Sequence, residues 1–329
     1  MTTPSSLCPY RMQVHHIIQE TPDVWTLALI NHDFYPYQPG QYALVAINDS
    51  EEVRAYTLSS APGASRFITL TVRRLADGAG SGWLTQDVKP GDNLWLSAAQ
   101  GDFSCLRHVD NRYLFLAAGC GVTPILSMCR WLAANRPQAD VRVIYCVRSP
   151  RDIIAASTWT ALGKWLRLTV FAEQGAAGDI LPGRLARDAL RELAPDIAAR
   201  TVMACGPAPW MAQQEAVALA LGAGRFLQER FHTSPADAGA GGGARLKITH
   251  PRPLQTVDAP VGVSLLAALE SNGIRVNAAC RAGVCGCCKT HIAQGDYRTT
   301  STMTLSEQDI AAGYVLACSC YPRGDIVIA

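Results

Sequence analysis

The sequence lacks an excess of charge of either sign. Its 29 lysine and arginine residues nearly balance 27 acidic residues, so the formal net charge at pH 7 is only +2. This balance gives no reason to expect nucleic acid or an anionic membrane surface as a partner. Charged residues make up 17% of the chain and hydrophobic residues 49%, which excludes the disordered class and indicates a globular protein.

Long apolar runs are also missing from the sequence. None reaches the roughly 18 residues that span a bilayer, and the opening residues "MTTPSSLCPYRMQ" lack the basic and apolar regions of a secretory signal. The expectations are therefore no membrane insertion and a cytoplasmic location. Because cytosolic thiols are kept reduced, this location weighs against a disulfide framework among the 12 cysteines.

The 329 residues are too many for one ordinary core and predict two or three domains. Six short β-rich runs separated by turn signals predict an antiparallel β-barrel domain over residues 1–108. The next segment, 109–232, alternates buried strands with helical patterns, which predicts an α/β domain with a parallel sheet. The glycine-rich stretch "TSPADAGAGGGA" predicts a flexible linker over 233–245, followed by a last domain over 246–329.

Half of the cysteines lie in the last fifty residues, and four of them lie in "CRAGVCGCCK". Cys280, Cys285 and Cys288 have the spacing C-x4-C-x2-C, and Cys318 follows after 29 further residues. This is the spacing of plant-type 2Fe-2S sites. A zinc site is the alternative, but structural zinc sites favour two C-x2-C pairs and the loop has only one.

The cysteine loop and the later stretch "VLACSCYPRGDIVI" resemble the plant-type ferredoxin domain. The resemblance implies an α+β fold of the β-grasp type over 246–329, holding one 2Fe-2S cluster. It implies four cluster ligands: Cys280, Cys285, Cys288 and Cys318.

The segment "RAYT", residues 54–57, resembles the R-x-Y-S/T signature of the ferredoxin–NADP reductase superfamily. An ordinary strand is the alternative for this short motif, but "QPGQY" and "GAGSGWLT" resemble two further motifs of the same superfamily. The resemblance implies an FAD site in which Arg54 meets the pyrophosphate and Thr57 hydrogen-bonds flavin N5 as a catalytic residue. The FAD residues that it implies are Arg54, Ala55, Tyr56, Thr57, Gly78, Gly80, Ser81 and Phe231.

The segment "AAGCGVTPI" follows a predicted strand and opens a predicted helix. It lacks the G-x-G-x-x-G fingerprint but resembles the superfamily's G-x-G-x-x-P nucleotide loop. Pro124 is expected at the first helical position. The later "MACGPAPW" resembles the C-G-P motif, which implies that Cys205 is a catalytic residue beside the nicotinamide. The nicotinamide-nucleotide residues that these motifs imply are Gly119, Gly121, Thr123, Pro124, Cys205, Gly206 and Pro207.

Other conspicuous residues are given no role. His15 and His16 are adjacent on a predicted strand, whose alternation of faces predicts that both cannot easily reach one site. The cysteines outside the motifs are interpreted as packing residues: Cys8, Cys105, Cys120, Cys129, Cys146, Cys287 and Cys320.

From "CPYRMQVHHIIQETPDVWTLALI" to its end, the chain resembles the NADH oxidoreductases that serve the hybrid-cluster protein of facultative anaerobic bacteria. The resemblance implies electron transfer from NADH through FAD and a 2Fe-2S cluster to the hybrid-cluster protein, in a response to nitrosative stress. The reductase component of a multicomponent oxygenase is the main alternative, and a non-enzymatic redox-sensing module is another. Arg148 and Arg151, near the expected ribose pocket, leave NADPH open as the donor.

Overall fold

The computed structural model describes residues 6–48, 50, 52–76, 78–229, 231, 245–251, 254–278, 281, 283, 285–302 and 304–329. The chain divides into two compact units: residues 1–50 with 55–231, and residues 232–329 with the short segment 51–54. Most of the predicted linker, residues 233–244, lies outside the described residues. Within the described part of the chain, no helix has the length and apolarity needed to cross a bilayer.

The first sheet is the predicted antiparallel β-barrel. Its strand order is β4-β3-β6-β1-β2-β5, and Leu58, directly after β4, forms an antiparallel bridge to Leu70 of β5 that joins the two outer strands. Alternate side chains point inward and form an apolar core. The elements are β1 (Tyr10–Thr21), β2 (Val24–Asn31), β3 (Tyr42–Ala46), β4 (Val53–Thr57), β5 (Ile68–Arg73), α1 (Ala79–Gln86) and β6 (Asn93–Leu96).

A β-bulge in β1 corrects the expectation for the paired histidines. Val14 pairs with Leu29 and His16 pairs with Ala28, so His15 is an extra residue in the ladder. A bulge locally breaks the alternation of faces. The two imidazoles consequently meet, with 2.7 Å between His15 Nδ1 and His16 Nδ1.

The second sheet is the predicted parallel α/β sheet, with strand order β10-β9-β8-β7-β11-β12. All five strand pairs are parallel, and apolar cores cover both faces. Its strands are β7 (Arg112–Ala118), β8 (Asp140–Val147), β9 (Arg167–Ala172), β10 (Leu181–Pro182), β11 (Thr201–Cys205) and β12 (Arg225–Glu229). Its helices are α2 (Val122–Asn135), α3 (Ala156–Leu162), α4 (Arg187–Leu193) and α5 (Ala208–Ala220).

Helix α2 connects the two sheets of the first unit. Arg130 Nη1 donates to the carbonyl oxygen of Ser59 at 2.8 Å, and Arg130 Nη2 donates to Thr158 Oγ1 at 3.0 Å. One turn earlier, Ser127 Oγ donates to the carbonyl oxygen of Ser60. These bonds fix the middle of α2 against the segment that directly follows β4, the strand with the "RAYT" motif.

The second unit has the predicted β-grasp form. A five-stranded mixed sheet, β14-β13-β19-β15-β17, is accompanied by the pair β16-β18 and encloses one apolar core with α6. The strands are β13 (Arg245–Pro251), β14 (Leu254–Pro260), β15 (Lys289–Gln294), β16 (Tyr297–Thr299), β17 (Tyr314–Leu316), β18 (Cys320–Pro322) and β19 (Ile326–Ile328). The helices are α6 (Leu265–Ser271) and α7 (Glu307–Ala311).

Candidate functional site

The two nucleotide motifs meet where the order of the parallel sheet reverses. Strand β7 lies between β8 and β11, and the connections that follow β7 and β11 leave the same end of the sheet. In sheets of this class, ligands bind in the crevice at such a reversal. The structure therefore brings the predicted Gly119–Gly121 loop and the predicted Cys205–Pro207 loop together.

Gly121 explains why the first loop needs glycine. A Cβ atom at this position would overlap the carbonyl oxygen of Cys205 and would lie 2.6 Å from the amide nitrogen of Gly206. Gly119 adopts a positive φ of 54°, which favours glycine. The two loops thus touch through their backbones.

Helix α2 begins earlier than expected. Val122 is its first residue, so Thr123 is the second and Pro124 the third, which corrects the prediction of Pro124 at the first position. Pro124 is still tolerated, because amides in the first helical turn have no intrahelical acceptor. The hydroxyl of Thr123 donates to the carbonyl oxygen of Cys120 at 3.0 Å, which ties the loop to the helix.

Two titratable groups at the ends of neighbouring strands favour their neutral forms, because burial raises the pKa of each. Cys205 pairs with Glu229 across β11 and β12, and Cys205 is fully buried. Burial raises the pKa of the Cys205 thiol well above its usual value and raises the pKa of Glu229 to about 8. Among the described residues, Glu229 Oε2 has no hydrogen-bond partner. At this end of the crevice, both the Cys205 thiol and the Glu229 carboxyl therefore favour their neutral forms.

Glu229 is the functional candidate that sequence reasoning did not single out. In this part of the chain the resemblance assigned only Phe231 to the flavin site, and Phe231 is 37% exposed. Glu229 Oε1 lies 3.8 Å from the position that a Cβ on Gly101 would occupy, beside the ring of Tyr42. A glutamate at the end of an otherwise half-buried strand was the available sequence signal.

The predicted flavin residues lie on β4. Thr57 is buried, whereas Tyr56 is half-buried and packs against the barrel core. The Arg54 guanidinium forms an ion pair with the Glu52 carboxylate and donates to the Val53 carbonyl oxygen at 2.9 Å. A guanidinium that pairs with a carboxylate can pair with a phosphate as well, so the chemistry of Arg54 is compatible with the role expected of it.

The predicted phosphate loop opens α1. Gly78 precedes the helix and no side chain among the described residues caps its first turn, so the first amides are available to an anion. Ser81 Oγ accepts from the Leu75 amide and donates to the Gly78 carbonyl oxygen, both at 3.1 Å. Gly80 and Ser81 are buried. Ser81 thus shapes the loop through its hydroxyl, and its amide belongs to the first turn.

Two of the predicted cluster ligands are neighbours in the second unit. Cys288 Sγ lies 3.3 Å from Cys318 Sγ, and both residues are buried. Cys285 is half-buried on the same loop, whereas Cys280 lies outside the described residues. The described residues alone do not form a group of three metal ligands.

The loop backbone fits an iron–sulfur cluster. The Gly283 amide donates a hydrogen bond to Cys318 Sγ at 3.1 Å, and hydrogen bonds from backbone amides stabilise thiolate ligands. Gly283 and Gly286 have φ values of 68° and 78°, and a Cβ on Gly283 would lie 2.8 Å from Ser301 Cβ. Only glycine fits this cradle.

Comparisons with known proteins agree with this division of sites. Three family models match the chain: "Oxidoreductase FAD-binding domain" over residues 11–105, "Oxidoreductase NAD-binding domain" over 115–216 and "2Fe-2S iron-sulfur cluster binding domain" over 249–323. Among solved structures, phthalate dioxygenase reductase superposes with a TM-score of 0.66 at 21% identity, covering 99% of both chains. That similarity establishes the three-part fold.

Two curated relatives span nearly the whole chain. The reductase subunit of glycine betaine monooxygenase from Pseudomonas aeruginosa (strain UCBPP-PA14) is 28% identical, covering 95% of this chain and 93% of its own. NADH oxidoreductase HCR from Escherichia coli (strain K12) is 58% identical over 330 residues, covering 100% of both chains. The chain therefore belongs to the family of NADH oxidoreductase HCR, and it is an oxidoreductase with an FAD-binding domain, an NAD-binding domain and a 2Fe-2S domain.

Proposed function

We propose that this oxidoreductase takes electrons from NADH and delivers them, through FAD and one 2Fe-2S cluster, to the hybrid-cluster protein. One observation best supports a nicotinamide nucleotide as the electron donor. The backbones of the Gly119–Gly121 loop and the Cys205–Gly206 turn are in contact, and together they form the floor of the nucleotide crevice. The end-to-end similarity to NADH oxidoreductase HCR supports NADH as the donor. When bound, the flavin supplies the change from two-electron transfer, as hydride from NADH, to single-electron transfer to the cluster.

We assign the cofactor contacts to the residues that the motifs single out. On β4, Arg54 holds the flavin pyrophosphate, Ala55 and Tyr56 line the ring, and Thr57 presents its hydroxyl to N5. The start of α1, with Gly78, Gly80 and Ser81, receives phosphate oxygens. Phe231 closes the flavin site. Their placement on a rigid barrel strand and a helix start supports the assignment.

The nucleotide crevice supplies position and a neutral environment. Gly119 and Gly121 bring backbone close to the dinucleotide, and Thr123 and Pro124 hold the start of α2. Cys205, Gly206 and Pro207 lie beside the nicotinamide. Because hydride transfer needs no proton at these atoms, a neutral thiol and a neutral carboxyl suffice to exclude water and orient the ring.

In the second unit, Cys280, Cys285, Cys288 and Cys318 hold the cluster. We propose that the functional domains follow the expected boundaries, 1–108, 109–232 and 246–329, with residues 233–245 between the last two. Cluster ligands must stay reduced thiolates, which supports a cytoplasmic location. The proposed acceptor in turn places the enzyme in a response to nitrosative stress.

The test is reconstitution of the full-length protein with purified acceptors. We expect NADH-driven reduction of the hybrid-cluster protein and little reduction of an oxygenase component. The similarity to the glycine betaine monooxygenase reductase subunit makes that oxygenase the informative competitor. If the protein reduces the oxygenase and not the hybrid-cluster protein, the oxygenase replaces the hybrid-cluster protein as the proposed acceptor. A purified protein without flavin absorbance would rule out the whole scheme.

A further inference from the structure

The carboxylate of Asp23 lies between two arginines at the nucleotide crevice. Asp23 is in the turn that joins β1 to β2. Its Oδ2 lies 3.2 Å from Arg73 Nε at the end of β5 and 3.8 Å from Arg148 Nη2, directly after β8. The barrel and the parallel sheet of the first unit therefore meet here through one acidic and two basic side chains.

The Asp23 carboxylate is held in a fixed orientation. Thr21 Oγ1 donates to Asp23 Oδ1 at 2.9 Å, and the Arg74 amide donates to the Asp23 carbonyl oxygen at 2.8 Å. Oδ1 is thus occupied by the hydroxyl, and Oδ2 faces the arginines. Thr21 is itself buried, so its hydroxyl is a rigid support.

Both arginines lie at positions where nucleotide phosphates are expected. Arg73 Nη1 lies 3.4 Å from the position that a Cβ on Gly119 would occupy, so it borders the nucleotide loop. Its Nε atom is buried and makes an ion contact with Asp23 without hydrogen-bond geometry. Arg148 follows the second strand of the parallel sheet, where α/β nucleotide-binding folds distinguish a ribose hydroxyl from a 2′-phosphate. Its side chain is 72% exposed, so an arriving ligand can reach it.

We propose that Asp23 sets the preference for NADH over NADPH, because it restrains Arg148 and places a negative charge where a ribose 2′-phosphate would approach. Asp23 is a positioning and specificity residue that acts through Arg148. An unrestrained arginine at this position is the usual partner of a 2′-phosphate, whereas NADH carries no group there. The inference rests on the NADH preference in the proposed function.

The decisive measurement is kcat/KM for both nucleotides with ferricyanide as the acceptor, in full-length holoprotein. Asp23→Asn keeps the shape of the side chain and removes its charge. We expect the NADPH-to-NADH ratio of kcat/KM to rise about two- to fivefold, the range that an exposed charge pair supplies. The change should lie in KM for NADPH, should leave kcat with NADH within about twofold, and should shrink as salt screens the charges.

Three further variants separate this role from a structural one. Asp23→Asn combined with Arg148→Gln should return the ratio to the wild-type value, because the freed arginine is gone. Thr21→Val, which removes only the supporting hydroxyl, should raise the ratio by a smaller factor. Asp33→Asn, which alters an exposed carboxylate elsewhere on the barrel, is the matched control. It should leave kcat/KM unchanged for both nucleotides.

The outcomes distinguish the two proposals. A wild-type protein that prefers NADPH would overturn the NADH preference itself. A wild-type protein that prefers NADH, with an unchanged ratio in Asp23→Asn, would overturn only the role of Asp23. An equal rise in kcat/KM for NADH and NADPH in Asp23→Asn would also overturn this role, since it would indicate a general attraction of phosphate groups.

Discussion

At the scale of single residues, the clearest constraint on the crevice is the missing side chain of Gly121. Because Cys205 and Gly206 fill the space of a Cβ atom, even alanine must separate the two loops. We expect Gly121→Ala to raise KM for NADH at least about fivefold, as overpacking of this kind typically costs about 1–3 kcal/mol. Steady-state kinetics with ferricyanide measures it. Gly224→Ala, a glycine with open space around it, should leave KM unchanged, and equal effects in both variants would contradict the explanation.

Glu229 predicts a pH dependence of stability. Burial raises the pKa of Glu229 in the folded protein from the ordinary glutamate value of 4.5 to about 8. Between these values the unfolded chain loses a proton that the native protein keeps, so the free energy of unfolding falls as pH rises, by up to about 1.4 kcal/mol per pH unit. Glu229→Gln should remove this slope.

Denaturant unfolding at pH 5, 6.5 and 8 measures the slope in both proteins. The glutamine variant should gain stability relative to the wild type as pH rises towards 8, and the difference should level off above that pH. Parallel profiles for the two proteins would show that Glu229 is ionised in the native state.

Residue-scale features were the least predictable from sequence. The glycine motifs predicted which loops matter, but the contact between Gly121 and Cys205 depends on strands that are over eighty residues apart. The bulge at His15 also escaped prediction, because nothing in "QVHHII" marks one residue as unpaired. Tertiary packing decides both features.

At the scale of elements, α2 has two tasks: its first turn carries the nucleotide loop, and Arg130 joins it to the barrel. Burial lowers the pKa of Arg130, and its hydrogen bonds reach Ser59 and Thr158. We expect Arg130→Met to lower the free energy of unfolding by about 1–3 kcal/mol, because buried acceptors lose a charged donor. Thermal unfolding of the flavin-loaded protein measures it.

The matched control for Arg130 is Arg187→Met, an exposed arginine at the start of α4. Its stability should stay within about 0.5 kcal/mol of the wild type. If both substitutions have the same effect, the contact of α2 with the barrel contributes nothing specific.

Most elements were readable from periodicity. The six β-rich runs of the barrel all became strands, and the alternation of strands and helices expected over 109–232 is present. The helical pattern of "DIIAASTWTALGKW" predicts a longer α3 than the structure has, because Ala155 has a positive φ of 56° and the helix begins only after it. The Ala155 amide donates to Glu20 Oε2 at 3.1 Å, a long-range contact that sequence spacing does not reveal.

At the scale of the whole molecule, the two compact units predict separable cofactors. Cys318 belongs to the second unit. The flavin residues Ala55–Thr57, Gly78–Ser81 and Phe231 belong to the first, and only the pyrophosphate residue Arg54 is grouped with the second. We expect Cys318→Ser to lose the iron while it keeps the flavin and the NADH–ferricyanide activity. Iron analysis and the flavin absorbance measure this directly.

Cys287→Ser is the control for that experiment, since Cys287 lies in the same loop and is interpreted as a packing residue. It should keep two irons per chain, the number that one 2Fe-2S cluster requires. Loss of flavin together with iron in Cys318→Ser would contradict separable units. Loss of iron in Cys287→Ser would call for a different ligand set.

The first and last strands of the second unit, β13 and β19, run parallel and side by side, with Ile248 opposite Ile326 and Thr249 opposite Val327. A pull that separates the two ends of this unit acts along both strands in opposite directions. It therefore loads their hydrogen bonds in shear, all at once, whereas a hairpin pulled open breaks its bonds one after another. Tension that enters this unit at Arg245 would thus be borne by the β13–β19 pair before it reaches the cluster loop.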